Sequence, residues 1–363
     1  MKCLFVGDVF PTALNADLFR AGDLDTLFTD TRTLFADNDL NMVNLECAIT
    51  DAEEPIEKIG PPLKAPLQTA EVLRTLGVHV CGLANNHFFD FGKRGAADTL
   101  SALEKVGILT TGYGENAEDA KKHLVFEKDG ERVCLIAVCE HEYSYALADR
   151  VGCNGFDPFE TPLAVRAAKE KYDRVVVLYH GGKELCQYPS PRLRAACHAM
   201  AKSGADLILT QHSHCIGCYE QVQGCHILYG QGNFHFVKEK NDDLPEIWDS
   251  ELAVRYDSKT HEIEFVPTAK NGTGIALAKG EEKEKLLAAF AARNAQLADG
   301  TWYDGWVAFC ESQRENYERA VVRVGETREP KYFEKFAHYL DCEAHLDVWL
   351  QLYQTANHRN ERS

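Results

Sequence analysis

The sequence predicts a layered α/β domain followed by an all-helical region, and three observations carry that expectation. Over residues 1–270, short apolar runs alternate with amphipathic stretches, the pattern of strands interleaved with helices. After about Lys279 the strand-like runs stop, and Glu, Lys, Ala, Leu and aromatic residues recur at helical spacing. The 363-residue chain is 45% hydrophobic and 26% charged, which is a globular composition.

The elements follow in order. Strands are expected at 3–6, 40–45, 79–83, 133–138, 174–179, 206–209 and 226–229, where apolar residues run together between polar breaks. Helices are expected at 17–36, 69–76, 95–106 and 191–202. Residues 250–256 and 261–266, separated by Asp257, Ser258, Lys259 and Thr260, read as a β-hairpin. The helical region comprises 281–297, 301–320 and 330–353, with its main loop from Gly325 to Pro330. The domains are therefore expected at 1–270 and 280–357, with a frayed terminus from Asn357.

Charge and cysteine usage narrow the function. A net charge of −17 repels polyphosphate backbones, so nucleic acid is not an expected partner. No stretch approaches about 18 uninterrupted apolar residues, so no membrane span is expected. The start, Met-Lys-Cys-Leu-Phe-Val-Gly-Asp, lacks the long apolar core of a secretory signal. Thirteen cysteines, an odd number scattered through apolar runs, read as free thiols in a reducing cytoplasm. Cys215-x-x-Cys218 has no second pair to complete a zinc site and is read as incidental.

Polar residues fall where strands end. Asp8 follows the first strand and Glu46 the second, and Asn86-His87 follows the third with Asp90 beyond. His180 and the His212-Ser213-His214 run follow two later strands. Sites in open α/β sheets gather at the carboxyl ends of strands, so these loops can converge. Two carboxylates, a carboxamide and four imidazoles without thiolate suit borderline divalent ions such as Mn²⁺, Fe²⁺ or Zn²⁺, one or two in number.

The ordered set Gly7-Asp8, Asn44-Leu45-Glu46, Ala84-Asn85-Asn86-His87 with Asp90 and Gly92, His180-Gly181-Gly182 with Glu184, Ser203-Gly204-Ala205-Asp206, His212-Ser213-His214 and Tyr229-Gly230-Gln231-Gly232-Asn233-Phe234 resembles the bacterial capsule-synthesis (poly-γ-glutamate synthesis, CapA-type) family. That family is a branch of the calcineurin-like metallophosphoesterases. The resemblance covers roughly residues 1–270 and does not reach the helical region. It implies a four-layer β-sandwich flanked by helices and a metal-dependent hydrolase. Asp8 would hold the first metal, Glu46 would bridge, Asn86, His180 and His212 would hold the second, and His214 would return to the first. His87, backed by Asp90, would protonate the leaving group, and Glu184 and Asn233 would face substrate. An imidazole beside such a cluster suits general acid work near pH 7, and a His-x-His on an extended segment lets two rings address neighbouring ions.

Phe10 stands where related phosphoesterases carry a histidine, Glu46 where they carry Asp, and Gln211 where the family usually shows Gly or His. The first two departures are shared with the capsule-type branch and leave the first metal a ligand short. The substrate implied is a phosphoester or a small or soluble polymer-related molecule. Rival readings are γ-glutamyl amide or peptide-bond chemistry at the same metals, and a binding module that kept the fold without turnover. The helical extension is expected to cap the cleft or form a homo-oligomer face. The remaining histidines, His338 and His345 among them, are expected to be structural or solvated, and Glu140-His141-Glu142-Tyr143 to be loop surface.

Overall fold

The computed structural model describes residues 1–140, 143–238, 243–327 and 329–358. Two sheets form its centre. The first runs Gly274–Leu277, Glu262–Asn271, Ser250–Asp257, Lys2–Val9, Leu40–Leu45, Val80–Gly82, Leu109–Thr111, with Asn233–His235 also paired to Lys2–Val9. The second runs Cys218–Val222, Cys225–Tyr229, Leu207–Gln211, Arg174–His180, Glu131–Cys139, Leu124–Lys128. The central strands of both sheets pair in parallel, and antiparallel pairs flank them at one edge of the first sheet and at both edges of the second, so the parallel strands all end on one side.

Side-chain alternation explains the layering. In the second sheet Val133, Leu135, Ala137, Val176, Leu178, Leu207 and Leu209 share one core with the first sheet. Their neighbours Cys134, Ile136, Val138, Val175, Val177, Tyr179 and Ile208 join a second core. The period of two sends successive residues to opposite faces. The outer core is completed by Leu193, Cys197 and Met200 of helix Pro191–Lys202, and by Trp302, Trp306, Tyr317, Tyr339, Val348 and Leu352 of the C-terminal helices. Phe19, Phe28, Leu73, Leu76, Ala96 and Leu103 bring helices onto the first sheet. The result is the helix–sheet–sheet–helix layering that the resemblance implies.

The differences from expectation have local causes. The helix expected at 17–36 is three pieces, Ala16–Ala21, Leu24–Phe28 and a 3₁₀ segment Thr29–Phe35. Gly22 ends the first in a left-handed conformation (φ 68°), and the Asp23 side chain caps the second by accepting from Thr26 N. Strands Leu124–Lys128 and Cys218–Val222 and helix Glu160–Lys169 were not expected, because partly exposed edge strands lack a continuous apolar run. Strand Gly274–Leu277 belongs to the first sheet and carries the layered unit past residue 270. Four helices follow, Gly280–Asp299, Trp302–Thr327, Pro330–Asp341 and Glu343–His358. The break at Cys342 divides the helix expected at 330–353, and the loop expected from Gly325 is helical through Thr327. Arg328, His141, Glu142 and the residues after His358 lie outside the described residues.

Candidate metal centre

Asp8, Glu46, Asn86, His180 and His212 stand at or just beyond the ends of parallel strands, and the fold brings them together with His214. Asp8 pairs in register with Asn44 on one side and Asn233 on the other. Gly7 makes this register accessible: a Cβ there would lie 2.1 Å from Gly232 O and 2.9 Å from Glu251 Oε2. Its amide instead donates to that Glu251 oxygen at 2.7 Å.

The cluster is almost closed to solvent, with Asp8 and Glu46 0% exposed and His180, His212 and His214 between 3% and 6%. Asn44 Nδ2 donates to Asp8 Oδ1 at 2.7 Å and lies 3.2 Å from His180 Nδ1. His180 Nε2 meets Asn86 Oδ1 at 2.8 Å and Glu46 Oε1 at 3.3 Å. His214 spans the carboxylates, Nδ1 3.4 Å from Asp8 Oδ2 and Nε2 3.7 Å from Glu46 Oε1. Three groups have ligand atoms within 4.8 Å of one another: Asp8–Glu46–His214, Glu46–His180–His212, and Glu184–His212–His214. The first two share Glu46.

These residues fit a divalent cation. Both Glu46 oxygens and His212 Nδ1 are buried without a hydrogen-bond partner among the described residues, and such orphaned acceptors are costly unless something positive meets them. Burial, reinforced by the neighbouring Asp8, pushes the Glu46 carboxyl up to about 8. Burial works against the charged form of Asp8 too, but the hydrogen bond with His214 and the charges of His180 and His214 hold it below the usual carboxylate range. Burial lowers His180 to about 4 and His212 to about 3, so both are neutral and ready to ligate at pH 7. Burial also disfavours charge on His214, yet Glu46 and Asp8 lift it to about 10. Without a cation, its proton is the internal countercharge.

The His-x-His segment is not extended as the spacing suggested. The strand ends at Gln211, and His212 and His214 have φ of 80° and 52°, a left-handed conformation uncommon for residues with a side chain. The two turns bring both rings to the cluster, 5.9 Å apart. Strain of this kind persists where the surroundings over-determine it. Asn233 Oδ1 contacts His214 Nδ1 at 2.9 Å and Trp248 packs on that ring at 4.4 Å. Gln211 Nε2 donates to Gln231 Oε1 at 3.2 Å, a buried amide pair behind the cluster.

His87 forms a second unit beside these groups. Its Nδ1 is 2.6 Å from Asp90 Oδ2, and Asp90 also accepts from Leu63 N at 2.7 Å and pairs with Lys58 at 2.5 Å. Burial, then Lys58, lowers His87 against the pull of Asp90. Asn85 Oδ1 accepts from the amides of His87 and Phe88 and so shapes the turn. Glu184 is the most exposed of the expected site residues, its side chain 49% accessible and 3.5 Å from Lys183 Nζ. Asn233 is 5% exposed with its amide donating to Trp248 O, so its contacts are with His214 and its support.

Sequence reasoning assigned no role to Asn44, Lys58, Asn85 or Glu140. Asn44 and Asn85 stood inside quoted motifs, but Lys58 lies in a stretch without periodicity. Glu140 fell in a segment expected to be loop surface; it is 3% exposed and accepts from Gly182 N at 2.9 Å.

A family model described as bacterial capsule synthesis protein PGA_cap matches residues 2–238. The capsule biosynthesis protein CapA of Bacillus anthracis is 32% identical over 180 residues, 48% of this chain and 44% of that protein. The PGA biosynthesis protein CapA of Bacillus subtilis is 28% identical over 246 residues, 65% of this chain and 63% of that one. The chain thus spans about half the length of the curated relatives it matches. Among solved structures, a putative 5′-nucleotidase from Staphylococcus aureus in complex with alpha-ketoglutarate is 15% identical with a TM-score of 0.43, covering 80% of this chain and 58% of that one. No helix among the described residues is long and apolar enough to cross a membrane.

Proposed function

Because the chain belongs to the bacterial capsule synthesis protein PGA_cap family, we propose that it is a metal-dependent hydrolase acting on a phosphoester or polymer-related anionic substrate. The observation that carries this reading is Glu46, a fully buried carboxylate whose two oxygens lack donors among the described residues while Asp8, His180, His212 and His214 surround it. Asp8, Glu46 and His214 would hold one divalent ion, and Glu46, Asn86, His180 and His212 a second. When bound, Mn²⁺, Fe²⁺ or Zn²⁺ supplies Lewis-acid polarisation of the scissile group and of water.

The chain's own residues do the rest. Asn44 and Asn233 orient Asp8, His180 and His214 through the contacts already given. His87, with Asp90 on Nδ1, would protonate the departing oxygen or nitrogen from Nε2 in its imidazolium form, the charge that Asp90 stabilises. Lys58 neutralises Asp90, so the dyad is not a net anion facing an anionic substrate. The near-closed cluster excludes bulk water and strengthens each of these interactions. Thirteen free, buried cysteines favour a reducing, cytoplasmic setting.

A second reading, γ-glutamyl amide or peptide-bond cleavage at the same centre, is favoured by the name of the Bacillus subtilis relative, a PGA biosynthesis protein. A third, a binding module without turnover, is favoured by Phe10: its ring packs on Phe236 at 4.9 Å, where a further ligand would otherwise stand. Assay of a generic phosphodiester and a γ-glutamyl peptide side by side with Mn²⁺, with metal content measured on the same sample, separates the three. Turnover of the phosphodiester that is lost in His87→Ala supports the first reading. Peptide cleavage alone supports the second, and neither activity at full metal occupancy supports the third.

A further inference from the structure

We propose that the cavity beside helix Gly280–Asp299 is a second binding site, one that takes a small carboxylate carried on an apolar body. The site is separate from the metal-ligating cluster and does not rest on the hydrolase reading. The family match ends at residue 238, so most of this wall belongs to the part of the chain that the match does not describe.

The cavity has a volume of about 580 Å³, within the range of small-molecule sites. Ile216, Ile247, Ala269, Leu286 and Ala289 give it an apolar lining, and Arg293 gives it a buried charge. None of Asp8, Glu46, His180, His212 and His214 lines it. Its link to the cluster is indirect: Trp248, which packs on the His214 ring at 4.4 Å, lies between the lining residues Ile247 and Asp249.

Arg293 is the group that calls for a ligand. It is 9% exposed, and arginines buried to that degree are normally paired. Its Nε donates to Gly217 O at 2.7 Å, the one hydrogen bond the side chain makes among the described residues. No carboxylate among them pairs with the guanidinium; the groups acting on it are the thiols of Cys215 and Cys218 and the hydroxyl of Tyr188. Burial pushes both thiols and the hydroxyl up, so all three are neutral at pH 7. The two Nη groups are unpartnered, yet they are not among the polar atoms sealed inside the protein. They open on the cavity that the residue lines.

The fork is held in place. On the same helix Asn294 Oδ1 accepts from Tyr219 N at 2.7 Å, Gln296 Oε1 accepts from Tyr188 Oη at 2.6 Å, and Phe290 enters the inner core. A donor fixed before binding loses little freedom when an anion meets it.

The remaining charges narrow the ligand. Glu246 and Glu282 on the exposed rim offset Lys270 and Lys285, and Asp249 is answered by Lys238 at 3.0 Å. One positive charge, that of Arg293, is left unmatched. A single carboxylate balances it and fits the planar fork through two parallel hydrogen bonds, whereas a polyanion would meet the acidic rim. The apolar lining adds the burial of a hydrocarbon body.

The test is calorimetric titration of benzoate and, separately, of phenyl phosphate into the full chain, each with and without EDTA. The wild type binds benzoate with EDTA present, and Arg293→Gln and Ala289→Trp each weaken it about tenfold or more. Ala289 is an exposed helix position, so filling the cavity from there keeps the test readable should Arg293→Gln fail to fold. Wild-type affinity in either folded variant, or no benzoate binding by the wild type, overturns the site. Benzoate binding that EDTA abolishes places the anion at the metal centre and overturns it too. Phenyl phosphate bound in place of benzoate overturns the assignment to a carboxylate.

Discussion

Nε2 of His180 lies 3.3 Å from Oε1 of Glu46, yet neither oxygen of that buried carboxylate accepts a hydrogen bond among the described residues. A neutral imidazole and an orphaned carboxylate at that separation, with Asn86 Oδ1 2.8 Å from the same nitrogen, make a donor set for a cation. Burial, reinforced by Asp8, favours protonating Glu46 and pushes its carboxyl up to about 8, so a positive charge beside it would favour the ionised form.

Loading the site is therefore expected to release protons. At pH 7 the metal-free cluster holds at least one proton on the coupled pair His214, lifted to about 10, and Glu46, pushed up to about 8. Ligation requires both groups deprotonated, so about one to two protons leave per loaded centre and affinity climbs with pH. Calorimetry of Zn²⁺ binding in buffers of different ionisation enthalpy checks this. A heat independent of buffer would contradict it.

The metal-free protein is expected to lose stability on both sides of neutrality. His180, His212 and His235, at about 4, 3 and 4 by burial, stay neutral when folded. Below pH 6.5 the unfolded chain takes up these protons first, so stability falls as pH drops from 6.5 toward 4. His214 acts in the opposite sense: its raised value contributes stability fully present below 6.5 and lost as pH rises toward 10. Thermal melts of EDTA-treated protein across pH 4–10 should peak near neutrality, and a curve still rising toward either extreme would count against these assignments.

Gly7→Ala is expected to abolish folding or cost at least about 3 kcal/mol. The new methyl would meet a backbone carbonyl at 2.1 Å, and a carbonyl held in a sheet cannot rotate aside. Chemical denaturation of the variant checks this, and loss of less than about 1 kcal/mol would show that Gly232 can move.

Much of this arrangement was legible in the sequence because period-two alternation marks buried strands and the polar residues after them mark loops. Asp8, Glu46, Asn86, His180, His212 and His214 could be named for that reason. The left-handed turns at His212 and His214 could not, since nothing in His-Ser-His announces a positive φ. Lys58 was invisible because its ion pair with Asp90 closes across 32 residues of sequence. Glu140 read as loop surface because its partners, Arg192 and the Gly182 amide, come from distant segments. The helical extension could be seen as helices, but only the fold sets Asp347 against Arg192.

His87→Gln is expected to slow turnover by roughly 10²–10⁴-fold while leaving bound metal unchanged, the range for removing a general acid. Rate and metal content measured on one preparation check this. Loss of metal together with rate would make His87 a ligand instead of a proton donor.

The most direct measurement is anomalous diffraction from crystals grown with Mn²⁺. A peak is expected within about 2.0–2.5 Å of Glu46 oxygens, with Asp8 and His214 or His180 and His212 completing its shell. Saturating Mn²⁺ with no peak near Glu46 would contradict it.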